Sequence, residues 1–288
     1  MGQKDLSEKI LVAYDDVFAD IVNVLLLKRQ YQIQPGELED RRTKDFYKSN
    51  GMLHELERDV VKRWKKGDIR LACIGIENQT AADPDMALRV IGYDGAAYRE
   101  QLLDKRQDSK RYPVITMVLY FGYKKKWDKP LRVMEQLEIP VGLEEYINDY
   151  KINLFEVAYL SDEQVGMFQS DFKIVADYFV QKRKNNKYVP LQVEIRHVEA
   201  VLQLLSVMEN DDRFEKALYK NDGKKVENMC EVLDVVEQRG EKRGEQRGII
   251  RGSAEIMRAL YKNGYTENQI AQMTDRKISE VKDMLQLV

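Results

Sequence analysis

The stretch LERDVVKRWKKGDIRLACIGIENQT, Leu56–Thr80, decides how this chain is read. Two β-rich runs, Glu57–Trp64 and Ile69–Gln79, flank Lys65-Lys66-Gly67-Asp68, and glycine in a short polar connection is a hairpin signal. The second run is apolar through Leu71, Cys73, Ile74 and Ile76, then ends in an acid and an amide, Glu77 and Gln79. Residues two apart on a strand share a face, so these two polar groups point the same way. Folding about Gly67 sets the start of the first run beside the end of the second, with Asp59 opposite residues near 75–77. Asp68 sits at the turn, roughly 30 Å from Glu77 at about 3.3 Å per strand residue, too far to share a metal with it. Asp59 and Glu77 would together make the hard-oxygen site that Mg²⁺ favours, and Gln79 could orient a water there. A solvated strand end would carry the same residues, and at this point both readings stand.

Composition narrows the class. Of 288 residues, 43% are hydrophobic and 33% charged, the profile of a globular chain able to bury a core. The longest apolar runs, Ile21–Leu27 and Val114–Gly122, are too short to span a bilayer, so no membrane partner is expected. MGQKDLSEKI carries no apolar signal-peptide core, and a cytoplasmic location is expected. Cys73 and Cys230 are far apart and outside any CxxC pair, which suits a reducing compartment and argues against structural zinc. His54 and His197 sit in no nucleophile motif and read as structural. The net charge is −2 and the pI about 6.0, without the basic excess common in nucleic-acid binders. DNA contacts would therefore rest on local clusters: Lys62-Arg63, Lys124-Lys125-Lys126, Lys182-Arg183-Lys184 and the arginines from Arg239 to Arg251. Such runs are commonly solvated faces and are weak alone.

Periodicity predicts a helix over Ser7–Lys28, a break at Pro35-Gly36 and a polar stretch before the hairpin. A helix over Pro84–Asp104 and strands over Pro113–Phe121 and Ile152–Leu160 follow. Ser161 opens a helix through the capping box SDEQ and this is expected to reach Lys184, with further helices over Pro190–Asn210 and Arg213–Val236. In QRGEKRGEQRGIIRG, glycine recurs at 240, 244, 248 and 252. Each weakens a helix by about 1 kcal/mol, so the segment reads either as a stripe for close helix approach or as a charged linker. Beyond it lies a helix-turn-helix-like unit with a stop at Gly264 and a cap at Thr266. Three regions are expected: a core over 1–187, a helical extension over 188–236, and the Arg-Gly segment with its small helical module over 237–288.

The Asp59…Glu77-x-Gln79 element, lying after an N-terminal helix and before a helix and a strand, resembles the PD-(D/E)XK nuclease superfamily. Within it, YDDVF (Tyr14–Phe18), RDV (Arg58–Val60), IENQTAADPDMALRVIGY (Ile76–Tyr93) and the RGEKRGEQRG…LYKNGYTENQIAQMTDRKISEVKDMLQLV tail resemble the recombination-promoting nuclease (Rpn) and transposase-like branch. The resemblance implies an α/β, restriction-endonuclease-like core of helix, β-hairpin, helix and strands, with an all-helical C-terminal region. It implies a Mg²⁺-dependent DNA endonuclease linked to recombination or mobile elements, with Mn²⁺ as a possible substitute. Asp59 and Glu77 would be the metal ligands, and Gln79 stands where the wider superfamily often has lysine. Asp16 matches an acid position that would reach the metal or hold a water, or it is a helix-surface acid. Arg89 would contact the scissile phosphate, pin Glu77, or make a structural salt bridge; Lys62 is a further substrate-contact candidate, and Tyr93 reads as packing. DNA is the implied partner, with a second copy docking through the C-terminal helices. The class-different alternative is a non-catalytic DNA-binding or oligomerisation protein on a nuclease-like fold.

Overall fold

The computed structural model describes residues 9–41, 44–49, 52–57, 59–67, 69–103, 110–185, 188–209, 211–220 and 222–286. They fall into two compact units, Met1–Cys230 and Glu231–Val288. The first is a mixed α/β unit. A helical turn at 9–13 leads into helix α1 (Asp15–Ile21), which widens to a π-helical turn over Val22–Leu26. The expected helix thus exists but is interrupted at Tyr14, and its first residues lie outside the described ones.

A five-stranded sheet follows in the order β1-β4-β5-β6-β7, from β1 (Leu38–Asp40), β4 (Val60–Lys66), β5 (Ile69–Gln79), β6 (Val114–Tyr120) and β7 (Asn153–Glu156). β1, β4 and β5 are antiparallel neighbours, whereas β5, β6 and β7 run parallel. The hairpin read from the sequence is β4–β5, with Val60 opposite Ile76 and Gly67 at φ +57°, a conformation glycine adopts without strain. Asp68 lies outside the described residues. The first strand starts three residues later than expected, because Met52–Glu57 belongs elsewhere. It is β3, paired with β2 (Lys44–Ser49) in a separate two-stranded ribbon that the polar stretch had concealed.

Between β5 and β6 the chain crosses over through helix α2 (Met86–Leu103), as a parallel pair requires. Met86, Ala87 and Val90 of α2 pack with Val118, while Ala97 packs with Val61, Cys73 and Val114. Glu77 lies opposite Val118 in the parallel ladder, so Glu77 shares the face covered by α2. The other face carries Lys62 and looks onto α1, whose Phe18 ring lies 5.8 Å from the Lys62 ammonium.

Further on, the long helix expected from Ser161 divides into α3 (Asp162–Met167) and α4 (Phe172–Asn185). Its capping box forms as anticipated, Ser161 Oγ accepting from Gln164 N. The break has a cause beyond local sequence: Asp20 Oδ2 on α1 accepts from Gln169 N and Ser170 N, both at 2.7 Å, drawing those amides out of a helical ladder. The helix expected over Pro190–Asn210 begins only at Val198 (α5, Val198–Glu209), where Asp171 accepts from Arg196 N and His197 N. Where one helix was expected over Arg213–Val236, a short α6 (Arg213–Lys216) ends and α7 (Met229–Lys262) starts.

In the second unit α7 runs through all four Arg-Gly glycines without interruption, so the segment is helix rather than frayed linker. A Cβ at any of these glycines would meet nothing within 4 Å. Helices α8 (Glu267–Thr274) and α9 (Ile278–Gln286) close the unit around Met257, Ile270, Ala271 and Val281. Thr266 caps α8 through the anticipated box with Gln269.

Candidate active site

The hairpin register brings Asp59 to Glu77. Asp59 immediately precedes β4, and its Oδ2 accepts from Asn78 N at 2.7 Å, a bond across the hairpin between the carboxylate and the backbone beside Glu77. Burial drives the Asp59 carboxyl above its ordinary range, with the Asn78 amide and the Lys9 ammonium, 3.5 Å away, pulling the other way.

Glu77 is almost wholly buried, its side chain 2% exposed. A carboxylate taken that far from water requires cationic or hydrogen-bonding partners. Arg89, on the second turn of α2, supplies one at 3.5 Å and simultaneously bonds Asp83 Oδ2 at 2.7 Å. Its Nε and Nη2 donate to Tyr93 Oη at 3.2 and 3.0 Å, four residues along the same helix face. Burial alone would depress the guanidinium, but its bond to Asp83, contact with Tyr93 and the charge of Glu77 outweigh this and hold it above its ordinary value. Tyr93 is raised by burial and by the Glu77 charge. Asp83, Arg89, Tyr93 and Glu77 thus form one connected network. Tyr93 does more than pack.

The remaining candidates divide. Gln79 shares the face of Glu77, is partly exposed, and sits opposite Tyr120 on β6, its carbonyl accepting from Phe121 N at 2.8 Å. Lys62, expected to touch substrate, is 1% exposed on the α1 face; its ammonium bonds Asp15 at 2.7 Å and Asp40 at 2.5 Å. That charge is committed inside the fold. Asp16 has a partner of its own. Both its oxygens lie 3.1 Å from His197 Nε2, whose ring stacks on Tyr14 at 3.7 Å, and Arg196 is 4.0 Å away. Asp16 also lines a cleft of about 180 Å³ with Asp20, Arg29 and Gln169. His197 is the partner the sequence reading passed over. No spacing signal could have linked two residues so far apart in the chain. The side chain of His54 lies outside the described residues.

Mg²⁺ is ordinarily bound through one or two carboxylates, with waters completing its octahedron. Asp59 and Glu77 present a partly buried and a fully buried carboxylate on one end of the sheet, linked through the Asn78 amide, and burial is what raises the Asp59 carboxyl. Among the described residues, no group of three or more His, Cys, Asp and Glu is placed to hold a metal. No described helix is long and apolar enough to cross a membrane.

The family model described as "Putative transposase, YhgA-like" matches residues 65–214, just over half of the chain. The match begins after Asp59 and takes in Glu77, Gln79, Arg89 and the parallel half of the sheet. No curated protein and no solved structure matches the chain. With a helix-crossed mixed sheet that sets Glu77 beside Asp59, and a family match across its central half, the chain belongs to the YhgA-like transposase family, a PD-(D/E)XK-type family.

Proposed function

We propose that this protein is a Mg²⁺-dependent DNA endonuclease of the mobile-element-linked kind, working through a PD-(D/E)XK-type core. The observation that carries the reading is the bond from Asn78 N to Asp59 Oδ2, which ties one carboxylate to the strand that bears the other. The helix, antiparallel hairpin, crossover helix and parallel strand around it support the same assignment.

In this reading Asp59 and Glu77 hold the metal, which when bound supplies Lewis-acid stabilisation and a more acidic water. Gln79, partly exposed on the same face, holds a water by its amide. Unlike lysine it adds no positive charge against the phosphate, so turnover is slow. Arg89 fixes the Glu77 carboxylate and, being 37% exposed itself, presents its outer edge to a scissile phosphate. Arg89 also bonds Asp83 and Tyr93, which orient the guanidinium before substrate arrives. Asp16 and Lys62 have no part in this machinery. A homodimer formed through the C-terminal helices belongs to the same reading.

One observation favours the alternative, a DNA-binding protein without cleavage: both carboxylates already face cations, Lys9 at Asp59 and Arg89 at Glu77. Nicking of supercoiled plasmid decides between them. Cleavage that requires Mg²⁺ or Mn²⁺, stops with EDTA and is lost in Glu77→Ala is the expected result. Folded protein that shifts DNA in a gel without cutting it at any metal concentration would leave only the binding reading.

A further inference from the structure

Two lysine-rich runs lie nearly sixty residues apart in the chain, and each alone reads as a solvated face. The fold joins them. Lys124-Lys125-Lys126 follow β6, and Lys182-Arg183-Lys184 close α4. Lys182 lies 5.0 Å and Lys124 5.9 Å from the centre of the Tyr123 ring. Arg183 lies 4.9 Å and Lys126 5.1 Å from the centre of Tyr159, just past β7. Tyr159 Oη donates to Tyr123 O at 3.4 Å, so the two rings belong to one platform.

The loop bearing the first run is held firmly. Tyr120 Oη donates to Lys125 O at 3.0 Å, and Trp127 meets the Tyr120 ring edge-on at 5.4 Å. Trp127 N is anchored to Glu156 Oε1 at 2.8 Å. The chain can double back over Tyr120 because position 122 is glycine: a Cβ there would lie 2.1 Å from the Tyr120 ring. Tyr120 is the ladder partner of Gln79, so this loop leaves the sheet at the end where β5 delivers Glu77 and Gln79.

Carboxylates quench some of these cations and not others. Lys125 pairs with Asp128, Lys182 with Glu209, and Lys184 with Asp162 at 2.5 Å. Among the described residues, Lys124, Lys126 and Arg183 face no carboxylate; Arg183 donates to Ala158 O. In a chain of net charge −2, this is a concentrated set of uncompensated positive charge. The tyrosine faces are taken up in positioning the cations, so they are not free as stacking platforms for bases.

We propose that Lys124, Lys126 and Arg183, mounted on Tyr123 and Tyr159, form a phosphate-tracking surface that engages the DNA backbone as it enters the Asp59/Glu77 site. The assignment rests on the nuclease reading for the identity of the polyanion, and it names the surface that reading lacked. Its contacts are to phosphates and carry no sequence preference.

The test uses full-length protein carrying Glu77→Gln, binding a labelled duplex in EDTA across a salt series, with thermal melting to confirm that each variant folds. A Lys124→Ala/Lys126→Ala double is compared with a Lys125→Ala/Lys184→Ala double, which removes the same net charge from cations already paired. Losing two phosphate contacts should flatten the slope of log K against log salt by about 1.8, or roughly tenfold in affinity between about 50 and 200 mM salt. The paired-lysine double should lose less than half of that. Equal slopes in the two doubles would overturn the proposal, because charge would then act only through its sum. So would failure of the parent to bind DNA. The nuclease reading is judged separately: plasmid nicking by wild type together with equal slopes sinks the surface alone, whereas salt-dependent binding without nicking sinks the nuclease and leaves the surface standing.

Discussion

Each face of the sheet buries a charged side chain carried by one of its own strands, Lys62 on one and Glu77 on the other, and the two are held in opposite ways. On the α1 side Lys62, in the middle of β4, is sealed between Asp15 and Asp40 and lies over Phe18. On the α2 side Glu77 lies near the end of β5, with a second carboxylate beside it and a half-exposed arginine above. A buried charge closed off by two partners in mid-strand is architecture. A buried charge at a strand end, whose neighbour is another acid and whose cation reaches solvent, is a site that can exchange partners. Position along the strand, more than burial, separates the two roles.

Substitutions on the two faces test whether this contrast holds. The largest effect is expected from Glu77→Ala, which should lower plasmid nicking by about a thousandfold, about 4 kcal/mol in the barrier, while melting shows a folded protein. Lys62→Ala should do the reverse. Removing a fully buried stem and its ion pairs should cost about 2–4 kcal/mol in urea unfolding, moderated because Asp15 and Asp40 are themselves half or more exposed. Nicking by its folded fraction should be unchanged, and a specific loss of cleavage would erase the distinction between the faces. Gly122→Ala should cost about 1–3 kcal/mol, because the added methyl collides with the Tyr120 ring. Gln79→Ala should slow nicking only about tenfold, roughly 1.4 kcal/mol, as expected for loss of one water-holding amide. Asp16→Asn should have the smallest effect, within about twofold in cleavage and below ~1 kcal/mol in stability, since its partner His197 keeps its stack on Tyr14. A hundredfold loss in Asp16→Asn would return that residue to the catalytic set.

What was legible in the chain was what is local. The β-rich apolar run in Ile69–Gln79, the glycine turn, the capping boxes at Ser161 and Thr266, and the apolar run Val114–Tyr120 all express themselves within a few residues, and each formed. The ribbon of β2 and β3 was missed although Asn50-Gly51, a strong hairpin dipeptide, falls between its strands in the sequence. The interruption of the helix at 168–171 could not be foreseen, because its cause is the Asp20 carboxylate almost 150 residues earlier. Glycines at every fourth position were read as weakening a helix, yet α7 carries all four. Propensity is a small per-residue term and a long helix outweighs it.

The hairpin, and with it the approach of Asp59 to the strand that bears Glu77, follows from sequence, since register is set by the turn and by which side chains must be buried. The family to which those residues point follows from it as well. Which charges are available is settled by the packed fold. It sealed Lys62 between two acids, turned Asp16 toward His197, set Arg89 between Glu77 and Asp83, and drew two distant lysine runs onto a shared pair of tyrosines. The physical reason is range. Backbone preferences are settled by neighbours in sequence, whereas the worth of a charge depends on everything that displaces water around it, and those groups arrive from any part of the chain.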